Sequence, residues 1–146
     1  SEIVDFYLNA KVISKAFPET HRILSSLQKS YSLGLITNGK IWEQKIKVTG
    51  AGLKKYFDVI EYSEEKPKPN PDSYIKCLKK FNKSPENAIF VGNDPVTDFV
   101  GARKLGIATV RILQGLKKNV TAEEGFDADF NFNNLNEFYN GFTVNR

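Results

Sequence analysis

The chain has 146 residues, of which 40% are hydrophobic and 26% charged, and a formal net charge of +4. That is long enough for one domain with its own core, in a composition ordinary for a soluble globular protein. It excludes an internal disulfide, since Cys77 is the only cysteine, and its longest apolar runs, such as Ala88–Val91, are far too short to span a bilayer. No stretch has the charged start, apolar middle and small-residue cleavage site of a secretory signal. The expected address is the cytoplasm, with no membrane partner.

The positive charge does not point to nucleic acid. The lysines are scattered as Lys54-Lys55, Lys66 and Lys68, Lys76, Lys79 and Lys80, and Lys117-Lys118, with acids between most of them. A basic stripe interleaved with aromatics is absent. The bland reading is solvated surface; a mild bias toward anionic substrates is the functional one.

Residues 1–16 come first. Ile3, Val4, Tyr7, Leu8, Ala10 and Val12 fit a helix ending before Phe17-Pro18, either an ordinary N-terminal helix or the end of a larger structure. Leu33 to Ile36 is a short apolar run closed by the turn signal Thr37-Asn38-Gly39. From Lys40 a helical period follows through Ile41, Trp42, Lys45, Ile46 and Val48, stopping near Gly50 and Gly52. Val59-Ile60 lies in the next extended run. Pro67, Pro69 and Pro71 then forbid helix until Pro71 itself, which suits a first helical position; Tyr74, Ile75, Leu78 and Phe81 recur at helical spacing beyond it. Ala88 to Val91 reads as a buried strand ending in Gly92-Asn93-Asp94. Phe99, Val100, Ala102 and Leu105 mark a helix ended by Gly106, Ile107–Ile112 and Asp129–Phe132 are strand-like, and Leu135–Tyr139 is a short closing helix. Strands alternating with helices predict an α/β fold around a parallel sheet.

Three polar elements fall at expected strand ends, where α/β sheets place their sites. In Thr37-Asn38-Gly39, a hydroxyl and the following amides can hold a phosphate oxygen, although plain capping of the next helix explains the same residues. Lys68, between Pro67 and Pro69, is an ammonium on a stiffened loop; alone it would pass for surface. Asp94 and Asp98 stand four apart after Gly92-Asn93, so both can lie near one helix start, as hard oxygen ligands for Mg²⁺ or simply as caps.

Taken in order, the apolar strand with Thr37-Asn38-Gly39, then Lys68-Pro69-Asn70-Pro71-Asp72-Ser73-Tyr74, then Ile89 to Ala102 resembles the haloacid dehalogenase superfamily, closest to its phosphatase-like group with a cap inserted after the first strand. The likeness extends through Gly101–Ile107 to Ala128-Asp129-Phe130. It implies a Mg²⁺-dependent phosphomonoester phosphatase working through an aspartyl-phosphate. Thr37, Asn38 and Lys68 are then the catalytic and phosphate-binding residues, with Asn93, Asp94 and Asp98 as metal ligands. Asn93 departs from the acid usual at its place, and an amide oxygen brings no charge to the ion.

The resemblance also implies an attacking aspartate in an Asp-x-Asp motif ending the first strand, with its second aspartate as general acid and base. Asp5 has Tyr7 two positions on. Asp127-Ala128-Asp129 has the spacing but follows Gly125-Phe126 rather than a buried strand. The expectation is therefore a C-terminal part only: a remnant of a cap-domain helix over 1–16, and over 17–146 a three-layer Rossmann-like core with its first, nucleophile-bearing strand and most of the cap missing. Such a chain is expected to be inactive without its N-terminal segment. Its partners would be a small phosphorylated metabolite and an N-terminal fragment or second chain completing the sheet. The rival from another class is a non-catalytic module of the same fold that binds an anion or a partner. A metal-free dehalogenase is disfavoured, since those carry a serine and asparagine pattern in place of Gly92-Asn93-Asp94.

Overall fold

The computed structural model describes residues 18–144. The helix expected over 1–16, and Asp5 with it, lie outside the described residues. The first element within them is α1 (Pro18–Gln28), a helix beyond those expected from the sequence. Its start at Pro18 and the buried Ile23, Leu24 and Leu27 are an amphipathic signature. Then follow β1 (Gly34–Asn38), α2 (Ile41–Gly50), β2 (Val59–Ser63), α3 (Asp72–Phe81), β3 (Ile89–Gly92), α4 (Val100–Lys104), β4 (Ala108–Ile112), β5 (Phe130–Phe132) and α5 (Leu135–Val144).

Every strand pair is parallel. β1 pairs with β2, with Thr37 opposite Tyr62, and β4 sits between β3 and β5, with Val91 opposite Val110 and Ile112 opposite Phe132. The two ladders are joined by side chains. Alternate residues of a strand face opposite sides, and β1 and β3 use this identically. Leu35 and Val91 share one buried cluster with Ile23, Leu24 and Leu27 of α1, Val48 of α2, and Leu135 and Phe138 of α5. Ile36 and Phe90 share the other with Tyr74, Cys77 and Leu78 of α3 and Phe99 and Ala102 of α4. Helices thus lie on both faces of the two parallel ladders.

This corrects the expected fold class. A core with its first strand and most of its cap missing was anticipated, with an open gap between the strand ending at Thr37 and the strand ending at Gly92. The described residues instead make a three-layer α/β core with all of β1–β5 and their helices in place. Residues of both β1 and β3 contribute to each of the two buried clusters.

Smaller differences have local causes. α5 runs ten residues rather than the five expected, because Phe142 continues its apolar face, stacking on Phe138 at 5.5 Å between centroids and meeting Tyr31 at 5.4 Å. β5 is an edge strand whose Phe130 is exposed. Close packing of α4 on the proline loop depends on Gly101, where a Cβ would fall 2.3 Å from the Pro69 carbonyl oxygen. No helix among the described residues is long and apolar enough to cross a membrane.

Candidate active site at the carboxyl ends of the strands

Parallel strands leave their last residues and following loops at one edge of the sheet, and four loops supply the site. Thr37, at the end of β1, is buried, and its hydroxyl donates to Gln44 Oε1 at 2.8 Å, one helical turn into α2. Asn38 was expected to offer its backbone amide to phosphate. Its side chain makes a separate contact, in which Oδ1 accepts from the Lys68 N–H at 2.8 Å and Nδ2 donates to the Lys68 carbonyl at 3.1 Å. These two bonds tie the β1 loop to the proline loop, where the Lys68-Pro69 peptide is cis.

Lys68 is not surface. Its side chain is fully buried, and Nζ lies 3.0 Å from Asp98 Oδ1, whose side chain is equally buried. Nζ also donates to the Ile36 carbonyl at 3.3 Å and stands 5.3 Å from the centre of the Phe90 ring. The ammonium therefore links β1, β3 and the acidic loop in a low-dielectric corner. Removing one partner of such a pair strands the other charge and costs about 3–5 kcal/mol.

Asp98 is the hub of the loop after β3. Its Oδ2 accepts from the backbone N–H groups of Asn93 at 3.0 Å and Asp94 at 2.9 Å, while Tyr74 donates to its carbonyl at 2.6 Å. Gly92 is required by this arrangement, because a Cβ there would lie 2.5 Å from Asp98 Oδ2. Asp98 is expected to be a metal ligand; here its Oδ1 faces Lys68 and its Oδ2 shapes the loop.

Asn93 and Asp94 differ from it. Asn93 Oδ1 is buried with no hydrogen-bond partner, a costly state for an amide oxygen. Asp94 takes the Val96 N–H on Oδ1 at 3.0 Å and faces Lys117 Nζ at 3.7 Å through Oδ2. An orphaned oxygen beside a buried carboxylate is a donor set that fits Mg²⁺, which needs only one or two carboxylates. Among the described residues no group of three or more His, Cys, Asp or Glu is placed to hold a metal.

Asp127-Ala128-Asp129 stands at the wrong place for attack on a bound phosphate. Asp129 Oδ2 accepts from the backbone N–H and hydroxyl of Thr109, the second residue of β4, and Oδ1 pairs with Arg103 at 3.3 Å. These contacts lie at the amino end of the strand, across the sheet from Lys68 and Asp94.

Sequence reasoning missed Gln44, Lys117 and the Phe90 ring. Gln44 had a signal, lying four residues after Lys40 on the helix that opens beside Thr37.

Comparison with known proteins places this geometry. A family model described as haloacid dehalogenase-like hydrolase matches residues 4–112. A glyceraldehyde 3-phosphate phosphatase of Methanocaldococcus jannaschii is 33% identical over 90% of this chain and 58% of its own length. The crystal structure of a haloacid dehalogenase-like phosphatase from Thermococcus onnurineus superposes with a TM-score of 0.74, at 27% identity over 87% of this chain and 58% of that one. The chain spans about half the length of the curated relatives it matches. A solved protein of Listeria monocytogenes serotype 4b, 15% identical, shares the fold over 99% of this chain and 98% of its own, with a TM-score of 0.73. The expectation that the likeness is to a C-terminal part only is thereby overturned: the family match begins at residue 4, and a solved chain of nearly the same extent has this fold. Nothing in these likenesses supports an inactive chain. The chain belongs to the haloacid dehalogenase-like hydrolases.

Proposed function

We propose that this protein is a Mg²⁺-dependent phosphatase of small phosphorylated metabolites. The observation carrying the reading is the buried Lys68–Asp98 pair, 3.0 Å apart, beside the carboxyl ends of β1 and β3. A protein does not bury a lysine without use for its charge, because desolvation makes the site costly unless the ion is paired and positioned. Lys68 fixes a positive charge where a phosphoryl group would rest on the loop after β1. Thr37 adds a hydroxyl that Gln44 orients, and the Asn38 side chain holds the backbone of Lys68.

Bound Mg²⁺ supplies charge neutralisation of the phosphoryl oxygens. Asn93 Oδ1 and Asp94 would hold it, and Asp98 keeps the loop that presents them in shape. Named relatives support the substrate class: the Methanocaldococcus protein is a glyceraldehyde 3-phosphate phosphatase and one from Thermus thermophilus a phosphoserine phosphatase. Both act on small phosphomonoesters.

The test is phosphate release from an aryl phosphate, glyceraldehyde 3-phosphate and phosphoserine, with Mg²⁺ and with a chelator. Turnover that needs Mg²⁺ and falls in Lys68→Ala is the expected result. Saturable binding of inorganic phosphate without turnover on any ester would instead favour a non-catalytic anion-binding module.

A further inference from the structure

We propose that Lys117 is a built-in counter-ion for Asp94, competing with the divalent cation for that carboxylate and so setting how tightly the ion is held. The inference rests on the reading of Asn93 and Asp94 as the cation site.

Lys117 closes the short 3₁₀ turn Gly115–Lys117 after β4. Its Nζ stands 3.7 Å from Asp94 Oδ2, with 39% of the lysine side chain exposed and 12% of the aspartate. The contact is longer than a hydrogen-bonded pair and its lysine end is partly open to water, which leaves it exchangeable. The backbone beneath it is fixed. Arg111, buried in β4, donates through Nη2 to the carbonyls of Lys117 at 3.1 Å and Val120 at 2.6 Å. The Val120 N–H closes the turn on the Lys117 carbonyl at 3.1 Å. The turn also lies against the other half of the site, since a Cβ on Gly115 would stand 3.7 Å from Asn93 Nδ2. A buried arginine thus anchors the main chain from which a part-exposed ammonium reaches the carboxylate.

The sign of the effect follows from charge. Without a divalent ion, Lys117 neutralises part of the carboxylate. When the ion arrives, the ammonium becomes a like charge a few ångströms away and must swing into water, so the cation binds less tightly than to Asn93 and Asp94 alone. Lys68 cannot do this, because it is fully buried and committed to Asp98.

The experiment is calorimetric titration of the purified protein with MgCl₂ at low salt and again at about 0.3 M salt. Lys117→Gln is expected to bind Mg²⁺ about three- to tenfold more tightly than the parent, with the gain shrinking at high salt. Lys117→Arg, which keeps the charge, should stay near the parent, and Lys118→Gln should change affinity by less than about twofold. If Lys117→Gln binds no more tightly while Asp94→Ala abolishes binding, the cation site stands and the counter-ion falls. An equal gain in Lys118→Gln would reduce the effect to net charge and overturn the proposal. Binding that survives Asp94→Ala, or silence in both the parent and Lys117→Gln, overturns the cation site and the counter-ion together.

Discussion

The loop after β3 serves two neighbouring regions built on opposite plans. Around Lys68 and Asp98 everything is sealed: both side chains are buried, the ion pair is short, and the remaining carboxylate oxygen is saturated by two backbone N–H groups. Around Asn93 and Asp94, only residues away, one oxygen lacks a partner and the nearest cation stands 3.7 Å off with much of its side chain in water. The sealed corner suits fixed charge, since in low dielectric any rearrangement there is expensive. The rim, with an unpartnered oxygen and a part-exposed lysine, suits ligands that come and go. Position and exchange are thus divided between adjacent residues of a single loop.

The contrast is broken most severely at Lys68. Lys68→Ala should lower kcat by about a hundredfold or more, the scale of losing a preorganised charge at a reacting group. It should also cost about 3–5 kcal/mol of stability by stranding Asp98, read from the shift of the urea midpoint. Near-parental turnover would reduce the corner to a structural device. Gly92→Ala attacks the same corner sterically, and about 1–3 kcal/mol of destabilisation is expected from the forced shift of Asp98. A denaturation curve unchanged by the alanine would show that Asp98 has room to move.

At the rim the expected signature inverts. Asp94→Ala should abolish Mg²⁺ binding in calorimetry while moving the unfolding midpoint little, and Asn93→Asp should tighten binding by adding charge to a hard-cation site. Rim substitutions that unfold the protein would erase the distinction between the two regions.

The smallest effect belongs to a control outside both. In α3 the Asp72 carboxyl is held below its usual range by the hydrogen bond from Lys76. A lowered folded value contributes stability that is present above the unfolded pKa, about 3.9, and lost as pH falls through the lower folded one. Thermal melts of Asp72→Asn should therefore differ slightly from the parent near neutral pH and converge with it in acid. The pair is exposed, so this difference should be the smallest of the series.

How much of this was legible depends on what each residue answers to. Thr37, Asn38, Lys68, Asn93 and Asp94 stand out because turn chemistry interrupts apolar runs at fixed places, and the structure brings them to one edge of the sheet. The alternation of β1 and β3 was equally readable, since period-two patterning needs no knowledge of partners. Asp98 and Lys68 are each legible in sequence but their pairing is not, because an ion pair spanning thirty positions leaves no periodic trace. Lys117 was counted among scattered surface lysines; only the fold of the Gly115 turn, with Arg111 beneath it, carries that ammonium to Asp94. The missing-strand expectation failed for a related reason. It treated backbone pairing as the sole means of joining β1 to β3, whereas side chains on both faces join them.

The Asn38 contact with Lys68 has a practical consequence for anyone altering this protein. Its paired donor and acceptor, at 3.1 and 2.8 Å, reproduce a rung of a strand ladder between two loops thirty residues apart. Grafting either loop into another scaffold alone would leave a dangling amide on one side and an unheld backbone on the other. The transplantable part is the two loops together, with Asn38 as the dowel that keeps them in register.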